Sequence, residues 1–389
     1  MSQHLAASYF NSEEGGPTIV AVHDNGYIDF GRVFNGRFTW FAAMQSQLSS
    51  PYLPGSPTLN TLLYNQEHNI FLVGDAQGNI WSANGNDIYD WNKANLPSDA
   101  FNSVKAIAYG RRSTDGQGIF VASGDILNYS TIYSFDGQNW SHPNQIIAHK
   151  DELYGTPQWG RLAVINDIIF ADSMFVGVGL GSDGDYTGIY YSVDGVTWNC
   201  QCLSGQAQLN ALTYADNLFV AVADQSTIWY SPDGKNWTIA TGLSGEANFK
   251  DVTYGNRTFV AVADEGTIWL SPDGKQWTIA NEIPPDGPDI TFNKVAFRAG
   301  QFVAVADPGK REAVPIYFSS DGKVWSQGKH VYYGGSEWGY PPFYDVIYAN
   351  NRFYAIQRYA YQPDQTSDAW GPYSSTDGKT WDINNYSAG

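Results

Sequence analysis

Cysteine is nearly absent: the 389-residue chain has two, Cys200 and Cys202. They stand two apart in Asn-Cys-Gln-Cys, on one face of a strand, where a direct disulfide would be strained. No disulfide framework holds the fold, and the redox compartment is left open. Basic residues are also scarce, 21 Lys plus Arg against 39 Asp plus Glu, for a formal net charge of -18. A chain of that sign repels polyphosphate and shows no basic cluster, which disfavours nucleic-acid binding. Long apolar runs are missing too, since no stretch approaches the ~18 residues of a membrane-spanning helix, so no membrane insertion is expected. The start, Met1-Ser2-Gln3-His4-Leu5, lacks the basic region and apolar run of a secretion signal. The expectation is a mature product or a protein not exported by that route.

Motifs for common chemistries are missing as well. There is no Gly-x-Ser-x-Gly elbow and no phosphate-cradling Gly-x-x-x-x-Gly-Lys-Ser/Thr loop. The six histidines are dispersed without a His-Glu-x-x-His zinc pattern. Asp183-Gly184-Asp185 is a weak calcium signal, because turns are usually acidic. No metal or other cofactor is expected.

Against these absences stand 40 Gly, 26 Tyr, 20 Phe and 14 Trp, the composition of strands and tight turns. Disorder is excluded by bulky apolar residues along the whole length. The chain also repeats itself. Residues 249–278, FKDVTYGNRTFVAVADEGTIWLSPDGKQWT, nearly restate 209–238, LNALTYADNLFVAVADQSTIWYSPDGKNWT. A closing phrase, Ser-x-Asp-Gly-x-x-Trp, recurs at Asp136/Trp140, Asp194/Trp198, Asp233/Trp237, Asp273/Trp277, Asp321/Trp325 and Asp377/Trp381. Two degraded copies precede them: Asn35-Gly36 before Trp40, and Ser82-Ala83-Asn84-Gly85 reaching Trp91 after three extra residues. Eight units follow, with spacings of 39 to 58 residues between successive tryptophans.

Each unit holds four short β-rich runs. In the sixth unit they are Asp251–Tyr254, Phe259–Ala263, Thr267–Leu270 and Trp277–Ala280. Four antiparallel strands at a period of ~40–50 residues are the signature of a propeller blade. The predicted fold is all-β: one domain over 1–389, a propeller of four-stranded blades, eight favoured and seven the fallback. Asp-Gly supplies a hairpin turn in which Gly gives backbone freedom and Asp caps the loop amides.

The recurring phrase resembles the Asp-box (BNR) repeat of sialidase-like β-propellers, with one residue fewer between Asp and Gly. The resemblance covers nearly the whole chain. It implies a box between the third and fourth strands whose role is structural, so Asp136, Asp233 and their equivalents are read as scaffold. Sialidase activity is disfavoured, because the family's Arg-Ile-Pro phrase is absent and the arginines form no matching triad.

Alternating strand direction puts first-to-second and third-to-fourth turns on one rim. Second-to-third turns and the links between units share the other. Nearly all insertions fall on that other rim, at 122–130, 142–161, 179–188, 307–315, 326–343 and 357–373. They carry Tyr154, Trp159, Trp338, Tyr340, Arg358, Tyr361 and Trp370, the candidate ligand-binding residues. Ring faces beside carboxylates suit a sugar or a protein surface. Asp151, Glu152, Glu337 and Asp368 are the weak candidates for a catalytic pair, as in a glycosidase or lyase.

The sequence therefore favours a non-catalytic binding propeller over such an enzyme. Its expected partner is a glycan or a protein surface, met through one or two unequal sites. The setting is a lectin or adhesin at a cell surface, or a component of a larger assembly such as a phage virion.

Overall fold

The strands follow from the apolar runs and the turn residues between them. In blade 6 they are Phe249–Gly255, Thr258–Ala263, Ile268–Ser271 and Thr278–Ile279, within a few residues of the runs read from sequence. The computed structural model describes residues 7–12, 16–22, 28–34, 37–42, 53, 57–126, 130–143, 145–147, 164–180, 186–204, 207–280, 290–307, 309, 315–331, 342–349, 351–357 and 370–385. No helix occurs among them.

The strands form eight sheets, each built from a contiguous stretch of chain. Within a sheet the first to fourth strands lie side by side in sequence order and pair antiparallel. First strands of neighbouring blades touch all the way round, blade 8 returning to blade 1. The ring closes by packing: Ala21 of blade 1 joins Ala349, Tyr354 and Ile356 of blade 8. On its other side Val20 and Ile28 join Leu59, Phe71 and Val73 of blade 2. The molecule is an all-β propeller.

Second strands show why the apolar runs do not alternate. Ile70–Asp75 and Leu218–Ala223 are buried at every position, since a blade has a neighbour on each face. Each seam is an apolar layer; Val260, Val262 and Leu270 of blade 6 meet Phe292, Val295 and Phe302 of blade 7. Burying each such side chain contributes roughly 1.5–3 kcal/mol.

Two of the stretches read as insertions begin as sheet. Gln145–Ile147 pairs parallel with Thr197–Asn199 of blade 4, and Lys329–Val331 pairs parallel with Thr380–Asp382 of blade 8. These short strands lie along the outer edge of the next blade, making five-stranded sheets of blades 4 and 8. Ala122–Ile126, also inside a stretch read as an insertion, continues the second strand of blade 3. That strand stays paired with Phe101–Arg111 through two bulges.

Cys200 lies in the outermost antiparallel strand of blade 4, buried beside Val121 and Trp198, as a small hydrophobe. Ile239, which aligns with it, is 52% exposed.

Candidate functional site

The rim that carries the long connections is fixed by strand order. Second-to-third turns and blade-to-blade links leave the sheets on one side of the ring. Tyr154, Trp159, Trp338, Tyr340, Arg358 and Tyr361 lie outside the described residues, as do Asp151, Glu152, Glu337 and Asp368. Trp370 opens the strand Trp370–Ser375, its backbone paired with Asn385. The Asp183-Gly184-Asp185 signal also falls outside.

The six Ser-x-Asp-Gly-x-x-Trp tags occupy the opposite rim, each closing a third-to-fourth turn. In blade 3 the Ser134 hydroxyl donates to Asp136 Oδ1 and accepts from the Gly137 amide at 2.8 Å. Asp136 Oδ1 also accepts the Gln138 and Asn139 amides, and the Trp140 indole N–H donates to the Gly137 carbonyl. The glycines at 137, 195, 234, 274, 322 and 378 all have φ between 69° and 76°, where other residues are strained. They also press on the preceding blade: a Cβ on Gly274 would come within 2.6 Å of Leu218 Cδ2 in blade 5. Burial alone would raise the Asp136 carboxyl, but its hydrogen bonds from Asn139, Gln138 and Ser134 outweigh this and lower it to about 2. The other five tag carboxyls, Asp194, Asp233, Asp273, Asp321 and Asp377, are lowered in the same way.

The tag tryptophans, which belong to boxes expected from the sequence to be structural, are not open to any ligand. Trp140, Trp198, Trp237, Trp277, Trp325 and Trp381 are all buried. The physical reason is the seam between blades. Trp237 of blade 5 joins Met174 and Val176 of blade 4, and Trp325 of blade 7 joins Val260 and Val262 of blade 6. Trp381 of blade 8 likewise joins Val303 and Val305 of blade 7. Their indole N–H groups are used internally, donating to the carbonyls of Gly234, Gly322 and Gly378. These rings are packing, with no face left for a partner.

The first strands line the inside of the ring and carry a feature the sequence reading missed. In blades 2 and 4 to 8 one residue near the strand's start bulges out of register. Where the bulged residue is asparagine, its Nδ2 donates to a main-chain carbonyl of the next blade. Asn60 reaches Val104, Asn166 reaches Leu209, Asn210 reaches Phe249 and Asn293 reaches Phe343, all at 2.7–2.8 Å.

The position after the bulge holds Thr61 in blade 2 and Ala211 in blade 5, but Asp167, Asp251, Lys294 and Asp345 in blades 4, 6, 7 and 8. Lys294 Nζ donates to Asp251 Oδ1 at 3.2 Å, while Asp251 Oδ2 accepts the Val295 amide. Asp167 Oδ2 accepts the Leu212 amide in the same cross-blade manner. Burial opposes the charge on Lys294, yet Asp251, Asp345 and Asp167 together hold its ammonium above the ordinary lysine range. Burial pushes Asp345 up to about 7, with Lys294 only partly offsetting it. This constellation ties blades together. The signal that would have found it is one aligned strand position carrying charge in four units.

A cleft of about 340 Å³ opens on the tag rim between blades 2 and 3. It forms where the repeat is degraded. Blade 2 has a two-residue hairpin, Asn84 pairing with Asp87, and its fourth strand Asp87–Lys93 stands beside the tag of blade 3. Asp90 and Asn92 of that strand form one wall, Asp136 and Gln138 of the tag the other, with Ile70 and Ala83 buried at the floor. His68 closes one end, its ring edge-on to Tyr109 and Phe120. Asn65 Oδ1 accepts the His68 amide and lies 3.0 Å from the ring Nδ1, so in the neutral ring Nδ1 carries the proton and Nε2 is left as an acceptor. Next to it, Glu67 accepts from the Tyr109 hydroxyl and from Arg111, each at 2.8 Å. Burial and then the Glu67 bond raise the Tyr109 hydroxyl to about 12, which keeps it a donor. The sequence marked this place only as a unit with three residues too many.

With ring, rims and cleft in view, the class is a closed β-propeller, and solved structures bear this out. The chain is similar to Sqt1 of Saccharomyces cerevisiae, at 11% identity over 96% of each chain, with a TM-score of 0.56. It is similar to the C-terminal WD40 domain of Sif2, at 10% identity over 92% of this chain and 95% of that one (TM-score 0.55). BamB from Moraxella catarrhalis matches at 9% identity over 92% and 97% (TM-score 0.53). Likeness at such identity shows the fold alone. No protein-family model and no curated protein matches the chain.

Proposed function

We propose that the protein is a non-catalytic binding propeller that engages its partner through the rim of long connections. One observation carries this reading: strand order sends the second-to-third turns and the inter-blade links, where the aromatic segments are inserted, to one side of a closed ring. Rings such as Trp159, Trp338 and Tyr361 beside Asp151 or Glu337 suit a glycan first and a protein surface second. Because blades 5 and 6 have minimal turns there, the sites are one or two and unequal. A lectin, an adhesin or a virion component is the setting this reading fits. The resemblance to sialidase-like Asp-box propellers belongs to the same proposal. It is supported by the turn-closing role of Asp136 and its equivalents, which leaves the tags as scaffold.

A glycan array run beside a turnover screen tests the proposal. Binding without turnover, at one or two sites per chain by calorimetry, is the expected outcome. Hydrolysis that Glu337→Gln abolishes would overturn it in favour of a carbohydrate-active enzyme. A stoichiometry of seven or eight would replace it with a ring of equivalent sites.

A further inference from the structure

The cleft between blades 2 and 3 lies on the rim opposite the one where second-to-third turns and inter-blade links leave the sheets, so a ligand there is separate from the one proposed above. Its volume is in the range of small-ligand sites, and its chemistry is one-sided. Two acidic residues line it from opposite walls, Asp90 and Asp136, and among the described residues no lysine or arginine does. Asp136 stays ionised throughout the neutral range, because its turn amides hold the carboxyl down. His68 adds an acceptor nitrogen, and the Asn92 and Gln138 amides can turn an oxygen inward. Acceptors on both walls above an apolar floor of Ile70 and Ala83 match a group with several N–H donors on an aliphatic stem.

A free sugar fits less well, since no Trp or Tyr among the described residues lines the cleft. Nor do the described residues gather three His, Cys, Asp or Glu side chains in a metal-holding geometry.

We infer that this cleft receives a basic side chain, arginine or lysine, presented by a protein partner that docks on the tag rim. The stem lies on Ile70 and Ala83, and the cationic head is shared between Asp90 and Asp136. A net charge of -18 draws such a partner in, and the cleft gives it register.

The test uses the full chain with isotope-labelled histidine, whose six resonances are few enough to resolve. His68→Gln assigns the reporter. The probes are the peptide acetyl-Gly-Arg-Gly-amide and its citrulline counterpart, which is nearly isosteric but uncharged. The arginine peptide should move the His68 resonance, and the citrulline peptide should not at the same concentration. Asp90→Asn, at an exposed position, should weaken the arginine peptide about three- to fivefold. Asp216→Asn removes one charge from an exposed turn of blade 5 on the same rim and should leave its affinity unchanged. An unmoved His68, equal binding of citrulline, or equal weakening by Asp216→Asn would each overturn the inference.

Discussion

The third-to-fourth hairpins of blades 6 and 2 solve one problem in two ways. In blade 6 the chain from Ser271 to Trp277 folds into a turn closed by Asp273, and Gly274 rests on Leu218 and Val220 of blade 5. In blade 2 a two-residue turn suffices. There the Asn86 amide donates to Asn84 Oδ1, the Gly85 amide donates to the Asn69 carbonyl, and Gly85 faces Asn69 of its own blade. The tag thus closes its own turn and also seals the seam with the preceding blade. A hairpin without it turns back on its own blade, and the cleft lies on that hairpin's other side, toward blade 3.

The contrast is tested most strongly at the tryptophans. Trp277 is fully buried in the seam between blades 5 and 6, whereas Trp91 only packs against the edge of its cluster. Trp277→Ala should cost about 3–5 kcal/mol and Trp91→Ala clearly less, read from urea midpoints. Equal losses would mean that the tag does not anchor its blade more firmly than the plain hairpin does. The glycines come next. Gly274→Ala meets both the positive φ and Leu218, and should cost about 1–3 kcal/mol. Gly85→Ala meets chiefly the Asn69 side-chain oxygen, which can swing away, so its midpoint should shift less.

How much of this was legible follows from what repeats. The blades could be read because Asp-Gly and Trp recur in fixed phase, and a turn needing positive φ leaves few choices of residue. Which strand faces inward was not written in any one unit, since the second strands are apolar on both faces. The inner-wall group of Asp167, Asp251, Lys294 and Asp345 escaped notice because each looks like an ordinary charge in a strand. Only the bulge before it, a property of pairing, turns that position toward a neighbouring blade. The cleft was hidden for the opposite reason. A degraded repeat reads as loss, and nothing in Asn84-Gly85 says that Asp90 will stand across from Asp136. The aromatic candidates other than Trp370 fall outside the described residues, so their reading stays at the level of residue type.

Acid and base act on the two kinds of site with opposite sign. Asp345 is raised to about 7, so between pH 4 and 7 the folded chain holds a proton that the unfolded chain has released. Stability from this group is present below pH 4 and declines as pH rises through that window. Asp345→Asn keeps an acceptor for the Val346 amide and removes the charge. Its urea midpoint should exceed that of the parent at pH 8 and match it at pH 4; a deficit at pH 8 would mean the carboxylate is needed for Lys294.

The smallest effect separates the hairpins themselves. Tag carboxyls are lowered, Asp136 to about 2, so their contribution is complete above pH 4 and is lost as pH falls toward 2. Blade 2 makes the corresponding turn bond with Asn84, an amide that does not titrate. Hydrogen-exchange protection should therefore fall between pH 5 and 2.5 at Gln138, Asn139, Lys235 and Asn236, whose amides donate to Asp136 and Asp233. Protection at Asn86, corrected for intrinsic exchange, should hold steady over the same range. The Asp136→Asn variant makes the comparison internal, because it should give blade 3 the flat profile of blade 2. If blade 3 kept its acid-sensitive profile after that change, the loosening would come from elsewhere in the ring, and the tags would be turn-closers without a share in its pH response.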